Sequence, residues 1–251
     1  MDKPGRLRFI SLLAGLMIAG NALATQSNGR QTPVIPSDSS LETILDSAIS
    51  APDGAFDYIN SQSNAATWKQ TDGGSFIFRI EAAGNSTGSL GIYSPHSGIE
   101  HDLNLLSGPT TFLLSNNNLT VFGSSFAHYA NFGNEFGFYW DDGQGKSYTQ
   151  DAKNNDNALS LSYLIKDGWD LTHSAPWDSS GTASFRATGN DDWILAFESA
   201  ISNNNSFDDA IFLVKDVTVP EPTTLALIGT GLIIFGIGAF RKKAQLSQST
   251  Q

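Results

Sequence analysis

The central part of the chain alternates apolar and polar residues with the period of a β-strand. In residues 75–81, Phe76, Phe78 and Ile80 alternate with polar or charged neighbours, which predicts a strand with one buried face. Seven further short runs of aromatic and branched residues are bounded by Gly, Asn, Asp or Ser: 89–93, 110–114, 119–126, 135–140, 159–165, 193–197 and 211–217. About eight strands without intervening helices predict a mainly β domain, an antiparallel β-sandwich or jelly roll.

A helical period precedes these strands. Ser39 and Glu42 have the spacing of a capping box, and Pro52 is predicted to stop the helix. The apolar residues between them fall on one helical face: Leu41, Ile44, Leu45, Ala48 and Ile49. The domain is therefore predicted to span residues 41–219 with one short leading helix, after a polar, proline-containing linker at 25–40.

The N-terminus has the three-part layout of a secretory signal peptide. Three basic residues lie within the first eight positions, and an apolar stretch of about eleven residues follows at 9–19. Ala22 and Ala24 supply the small residues of a cleavage site, so residues 1–24 are predicted to be removed during export. The apolar stretch is short for a membrane span, which needs about 20 residues.

The C-terminus carries a longer apolar segment. After Pro220, Glu221 and Pro222, residues 223–240 contain no charge, and as a helix they would reach roughly 27 Å, enough for a hydrocarbon core. A basic cluster follows directly: Arg241, Lys242 and Lys243. Positive charge behind a span stays cytoplasmic, so the pattern predicts a transmembrane helix with the domain outside. A polar tail occupies 244–251.

This order of features resembles the PEP-CTERM sorting signal. The resemblance covers residues 219–243: Val-Pro-Glu-Pro-Thr, a span rich in Leu, Ile and Gly, and a basic cluster. It implies export in a Gram-negative bacterium, transient anchoring in the inner membrane, and removal of the tail by the membrane protease exosortase. It also implies a link to exopolysaccharide and biofilm. Two prolines hold the chain extended, a conformation that a protease can bind.

Composition narrows the function of the domain. The chain has 14 basic and 25 acidic residues, a net charge of −11, and no cysteine. Residues 25–219 alone carry eight basic and twenty-three acidic residues, a net charge of −15. This balance argues against nucleic acid as a partner, and the missing cysteines exclude disulfides, zinc ribbons and a thiol nucleophile.

A second, weaker resemblance lies at the end of the domain. The segment from Trp193 to Ser199, an Asn/Ser loop and the segment from Phe207 to Phe212 are similar to an uncharacterised bacterial β-domain family. That family often precedes the PEP-CTERM signal, and its acidic loop implies a calcium role. If the strands on either side pair as a hairpin, Glu198 meets Asp208 or Asp209. These three residues are the predicted calcium ligands, and a polar hairpin loop is the alternative.

A second acidic group, Glu135, Asp141 and Asp142, is followed by Gly-Gln-Gly. Its preferred interpretation is a hairpin turn, with a ligand role as the alternative. Three Asn-x-Ser/Thr matches, at Asn85, Asn118 and Asn204, are interpreted as chance in an Asn-rich chain.

No catalytic motif singles out a residue. His96 and His101 are interpreted as loop residues, and the chain has no His-Glu-x-x-His or Gly-x-Ser-x-Gly pattern. Five tryptophans are expected in the core or in strands, although on a surface they would stack on sugars: Trp68, Trp140, Trp169, Trp177 and Trp193.

The prediction is an exported, non-enzymatic structural or adhesive protein of the cell envelope or extracellular matrix. Its expected partners are the secretion machinery, exosortase, the membrane before processing, and exopolysaccharide. A secreted carbohydrate-active enzyme and a calcium-dependent carbohydrate-binding protein remain the alternatives.

Overall fold

A computed structural model describes most of the region between the two ends of the chain. The described residues are 33–50, 56–70, 74–82, 88–103, 109–123, 126–155, 157, 159–174, 182–187, 191–200 and 204–220. They belong to one compact unit, Ser27–Pro220. The predicted signal peptide and the predicted membrane span lie outside them. Within the described ranges, no helix is long and apolar enough to cross a membrane.

The leading helix forms where the sequence predicts it. Helix α1 covers Ser40–Ala48, with Ser39 at the N-cap and Leu41, Leu45 and Ala48 buried. The predicted capping box is wrong, because the Ser39 side chain makes no cap hydrogen bond. Asp38 Oδ1 instead accepts the Ser40 N–H at 2.9 Å. The helix also ends before Pro52, because the chain becomes extended at Ile49 and pairs with a strand.

The strands confirm a mainly β, antiparallel fold. All neighbouring strands are antiparallel in an eight-stranded sheet. In order across the sheet, its strands are β2 (Gln62–Ser63), β12 (Ser160–Ile165), β15 (Asp192–Phe197), β16 (Ala210–Lys215), β4 (Ser75–Ala82), β7 (Thr110–Ser115), β8 (Asn118–Phe122) and β9 (Ala127–Tyr129).

Three smaller sheets complete the described part of the domain. A four-stranded sheet has the order β11-β10-β5-β6, with strands Lys146–Tyr148, Gly137–Asp141, Ser89–Tyr93 and Glu100–Asp102. A three-stranded sheet joins β1 (Ile49–Ser50), β13 (Asp170–Ser174) and β14 (Thr182–Arg186). A two-stranded sheet pairs β3 (Lys69–Gln70) with β17 (Val217–Thr218), and a 3₁₀ helix covers Asp151–Asn154.

The central strands β15 and β16 are buried on both faces, so the domain has two cores. Alternate side chains of β15, including Trp193 and Leu195, pack with residues of the four-stranded sheet such as Phe138. The intervening side chains, including Ile194, pack with Leu45 of α1. Because both faces are covered, these strands form continuous apolar runs rather than alternating ones.

Two of the predicted strand runs are interrupted. The run 119–126 ends as β8 at Phe122, and β9 begins at Ala127. Phe122 and Phe126 are both exposed, so the apolar pattern there does not mark a buried strand. The run 211–217 breaks at Asp216, whose φ of 62° is left-handed and ends the ladder.

The described end of the predicted linker is attached to the domain. The Val34 N–H donates to Gln62 Oε1 at 2.9 Å, and Gln62 Nε2 donates back to the Val34 carbonyl at 2.6 Å. The Ser37 N–H donates to the Asn205 carbonyl at 2.8 Å.

Candidate functional site

A polar surface pocket of about 400 Å³ lies where several loops of the domain meet. We call it the Glu135 pocket. It is lined by Lys69, His96, Asn117, Asn131, Gly133, Asn134 and Glu135. Its lining is rich in amide and charged groups, which bind polar ligands by hydrogen bonding.

Two of the three asparagines in the pocket, Asn117 and Asn131, occupy left-handed backbone positions, which asparagine tolerates better than most residues. Asn116 and Asn117 have φ values of 53° and 64° and connect β7 to β8 as a two-residue hairpin. Two positive φ angles define a type I′ turn, which favours asparagine. The hairpin docks on the neighbouring loop, since the Gly133 N–H donates to the Asn117 carbonyl at 3.0 Å.

Glu135 is the buried carboxylate of the pocket, only 5% exposed. Thr67 Oγ1 donates to its Oε1 at 2.6 Å, and His96 Nε2 lies 3.4 Å from its Oε2. The bridge between Trp68 and Phe136 holds these neighbours together, with hydrogen bonds of 2.7 and 3.0 Å in both directions. Glu135 is thus fixed on its inner side, and its outer side faces His96.

The loop that carries His96 is held by a serine. Ser94 Oγ accepts the N–H of His96 at 3.3 Å and of Ser97 at 3.0 Å. The His96 side chain remains 62% exposed. The sequence interpretation as a loop residue is right for His96, although its contact with Glu135 was not predicted. It is wrong for His101, which lies in strand β6.

A second polar cluster lies in the loop between β15 and β16. Glu198 is fully buried, and its Oε2 accepts the Phe207 N–H at 3.0 Å. Its side chain also hydrogen-bonds to that of Asp209. Asp209 Oδ2 in turn accepts the Ser199 N–H at 2.7 Å. We call these residues, together with Ser206 and Asp208, the Glu198 cluster.

Ser206 connects the remaining predicted ligand to this cluster. Its hydroxyl contacts Glu198 Oε2 at 3.3 Å and Asp208 Oδ1 at 2.5 Å. The structure therefore brings Glu198, Asp208 and Asp209 into one hydrogen-bonded network, as the hairpin predicts. Backbone N–H and hydroxyl donors already occupy several of the carboxylate oxygens that a calcium ion would use.

The other predicted acidic group is divided between two places. Asp141 ends β10 and Asp142 begins the turn to β11, where Asp142 Oδ1 accepts the Gln144 and Gly145 N–H groups at 2.7 and 2.8 Å. This confirms the predicted turn. Ser199 Oγ donates to Asp142 Oδ2 at 2.6 Å, which joins the turn to the Glu198 cluster. Glu135 lies apart from both, in its own pocket.

The pKa values of Glu198 and Asp142 shift in opposite directions. Burial raises the pKa of Glu198, and the adjacent Asp209 raises it further, although the Phe207 N–H opposes the shift. Burial alone would also raise the pKa of Asp142, but hydrogen bonds from Ser199 and from backbone N–H groups bring it below its ordinary value.

Four of the five tryptophans are core residues, as predicted. Trp68, Trp140, Trp169 and Trp193 are each at most 5% exposed, so they offer no platform for sugar stacking. Trp177 lies outside the described residues.

Comparison with known proteins identifies the C-terminal segment. Residues 218–243 match the family model of the PEP-CTERM protein-sorting motif. This match supports an exported protein that exosortase recognises and processes. No curated protein and no solved structure shows a significant match to the chain.

The motif begins inside the folded domain. Thr218 is the last residue of β17, and Pro220 is the last residue of the compact unit. Val217 and Thr218 pair with Gln70 and Lys69 of β3. Glu221, Pro222 and the basic cluster at 241–243 lie outside the described residues, as do Ala22 and Ala24.

Proposed function

We propose that the processed domain is a structural or adhesive component of the cell envelope or extracellular matrix, associated with exopolysaccharide. The observation that carries this proposal is the direct continuation of the last strand, β17, into the sorting motif at 218–243. Nothing separates the folded domain from the signal, so the domain itself is the cargo that export and processing deliver.

The domain is proposed to be non-enzymatic. A glycosidase needs two carboxyl groups about 5–9 Å apart in a cleft. Among the described residues that line the Glu135 pocket, Glu135 is the one carboxylic acid. The Ser94 hydroxyl holds the backbone of its neighbour His96, and the described tryptophans are buried. These observations support a binding role over a hydrolytic one.

Carbohydrate binding is the second candidate function, and the Glu135 pocket favours it. Three asparagine amides, the Lys69 ammonium and the Glu135–His96 pair offer donors and acceptors within one open pocket. Uncharged saccharides are recognised through such groups. Calcium binding by Glu198, Asp208 and Asp209 stays a prediction that belongs with this candidate function. The resemblance of this segment to the bacterial β-domain family also stays a prediction.

Two experiments test these proposals. Deletion of the gene from its own host is expected to reduce matrix-bound polysaccharide, and restoring the full chain is expected to reverse the loss. Unchanged matrix in the deletion strain would refute the matrix role. The purified protein is then screened on glycans with and without chelator.

Matched variants test whether glycans bind in the Glu135 pocket. Glu135→Gln and His96→Ala are expected to weaken glycan binding, whereas Asp46→Asn on the exposed face of α1 is expected to leave it unchanged. If glycan binding is lost with chelator but kept in both pocket variants, the binding is calcium-dependent and lies elsewhere.

A further inference from the structure

Three aspartates converge beside the last strand of the domain. Asp191 precedes β15, Asp192 is the first residue of β15, and Asp216 lies between β16 and β17. One carboxylate oxygen of each lies within 4.8 Å of the other two. We call these residues the Asp216 cluster. It does not include Glu198, Asp208 or Asp209, the three predicted calcium ligands.

The backbone fixes the three residues in place. The Val217 N–H donates to the Asp191 carbonyl at 2.9 Å, which joins the start of β15 to β17. Ser75 Oγ donates to the Asp216 carbonyl at 3.1 Å. Asp216 itself has a φ of 62°, a left-handed conformation that aspartate tolerates better than most residues. The cluster is therefore built by contacts between β4, β15, β16 and β17.

A buried carboxylate oxygen without a hydrogen-bond partner is the second observation that points to a bound cation. Asp192 is 2% exposed, and its Oδ2 lies 3.2 Å from Lys215 Nζ. Its Oδ1 is buried and has no hydrogen-bond partner among the described residues. Leaving a buried polar atom unsatisfied is unfavourable, and the ammonium of Lys215 contacts the other oxygen.

The charges of the cluster are also unbalanced. Three aspartates face one cation, Lys215, so the local net charge is −2 when all are ionised. A divalent cation would cancel this excess charge.

The ligand chemistry favours calcium over magnesium. Calcium binds six to eight oxygens at about 2.3–2.6 Å in a flexible geometry that carboxylates and water can share. Magnesium demands a nearly ideal octahedron at about 2.0–2.1 Å and retains most of its water shell. Asp191 and Asp216 are half-exposed, so water can supply the remaining calcium ligands.

We propose that Asp191, Asp192 and Asp216 bind a calcium ion that holds the start of β15 to the turn before β17. Because β17 is continuous with the sorting motif, the ion stabilises the end of the domain at which processing occurs. Three carboxylates with a competing lysine predict weak affinity, in the range of about 10⁻⁴–10⁻³ M found in extracellular calcium modules. The site would then fill after export. Binding does not depend on the proposed matrix role; only this timing rests on export.

The test uses the full chain, purified in detergent and stripped of metal with chelator. Calcium chloride is titrated by calorimetry, and thermal melting is followed in parallel. We expect a dissociation constant of about 0.1–1 mM and a melting temperature raised by about 3–6 °C in 5 mM calcium. The same concentration of magnesium is expected to give a clearly smaller shift.

Three variants locate the site. Asp216→Asn is expected to weaken calcium binding at least tenfold, because it removes one charged ligand of almost the same shape. Lys215→Met is expected to strengthen calcium binding, since it removes the competing cation. If the pair of Lys215 and Asp192 is only a structural salt bridge, this change removes the pair without strengthening calcium binding. Asp209→Asn, in the Glu198 cluster, is the matched control and is expected to leave calcium affinity unchanged.

The opposite outcomes overturn the proposal. Absence of both heat and a melting shift in the unmodified chain would exclude calcium binding. A calcium response that survives Asp216→Asn but is lost in Asp209→Asn would place the ion in the Glu198 cluster. An equal response to magnesium would refute the assignment to calcium.

Discussion

The side chain of Glu198 hydrogen-bonds to that of Asp209, and Glu198 is fully buried. Two carboxyl groups in such contact repel each other when both are ionised, so the charged form of Glu198 is disfavoured. The loop between β15 and β16 is built around this pair. The Phe207 N–H donates to Glu198, and the Ser199 N–H donates to Asp209.

The first prediction concerns the pH dependence of this pair. The pKa of Glu198 is raised above its ordinary value of 4.5 in the folded state, first by burial. Its contribution to the free energy of unfolding is therefore fully present below pH 4.5 and is lost as the pH rises through the raised value. We expect Glu198→Gln to reduce this decline, because an amide can donate to Asp209 and still accept the Phe207 N–H.

The measurement is chemical denaturation at pH 4, 5.5 and 7. Glu198→Gln is expected to be at least as stable as the unmodified chain at pH 7. The control, Glu198→Ala, leaves the Phe207 N–H without this acceptor and is expected to lose about 1–3 kcal/mol at every pH. Equal destabilisation by both changes at pH 7 would contradict the raised pKa of Glu198.

The second prediction concerns two glycines in the four-stranded sheet. Gly91 pairs with Tyr139, and Gly137 pairs with Tyr93. A Cβ at Gly91 would lie 2.0 Å from the Tyr139 ring, and one at Gly137 would lie 2.4 Å from the Tyr93 ring. Gly91→Ala and Gly137→Ala are each expected to lower the free energy of unfolding by about 1–3 kcal/mol or more.

Gly74→Ala is the matched control, because its Cβ would lie 3.4 Å from Thr111, an ordinary contact. It is expected to change stability by less than about 1 kcal/mol. Denaturant unfolding measures all three variants. A neutral Gly91→Ala would show that the tyrosine ring does not cover this glycine.

The third prediction concerns Glu100, on which three side chains of the four-stranded sheet and the 3₁₀ helix converge. Lys146 Nζ lies 2.7 Å and Lys153 Nζ 3.6 Å from its carboxylate, and Tyr148 Oη donates at 2.9 Å. Burial alone would raise the pKa of Glu100, but these partners bring it below 4.5.

Because the folded pKa is lowered, the contribution of Glu100 to stability is present above pH 4.5 and is lost as the pH falls through the lowered value. Glu100→Gln is therefore expected to cost about 0.5–1.5 kcal/mol at pH 7, a range that allows for partial solvent screening. The cost should shrink toward pH 3. Urea unfolding at the two pH values measures it, and a cost that grows in acid would refute the charge-based explanation.

The fourth prediction separates the inner and outer sides of the Glu135 pocket. Thr67 is buried and donates to Glu135 at 2.6 Å, so Thr67→Val is expected to cost about 1–3 kcal/mol. His96 is largely exposed, so His96→Ala is expected to cost less than about 0.5 kcal/mol. Thermal unfolding compares the two, and the reverse order would show that His96 holds the pocket together.

The strands that the sequence predicts best are those buried on both faces. Strands β15 and β16 are continuous apolar runs, and both were predicted within one or two residues of their observed bounds. Strands β13 and β14 were missed because their segments, DLTHS and TASFR, are mainly polar and contain only one and two apolar residues, too few to mark a strand. They are held by pairing with each other and with the short strand β1, a long-range contact that local pattern does not encode.

The candidate sites divide in the same way. The contact between Glu198 and Asp209 follows from a hairpin, and the sequence therefore predicts it. The contact between His96 and Glu135 joins residues 39 positions apart, and no motif links them. Asp216 lies inside the predicted strand 211–217, although aspartate is unfavourable in a strand interior. It separates β16 from β17.

Intact-mass spectrometry of the protein from its own host measures whether exosortase removes the tail. We expect a product that begins after Ala24 and lacks the segment 223–251, and that keeps its tail when exosortase is deleted or when Pro220, Glu221 and Pro222 are replaced by alanine. An exported protein whose C-terminal peptide still extends to Gln251 in the presence of exosortase would show that the tail is not removed.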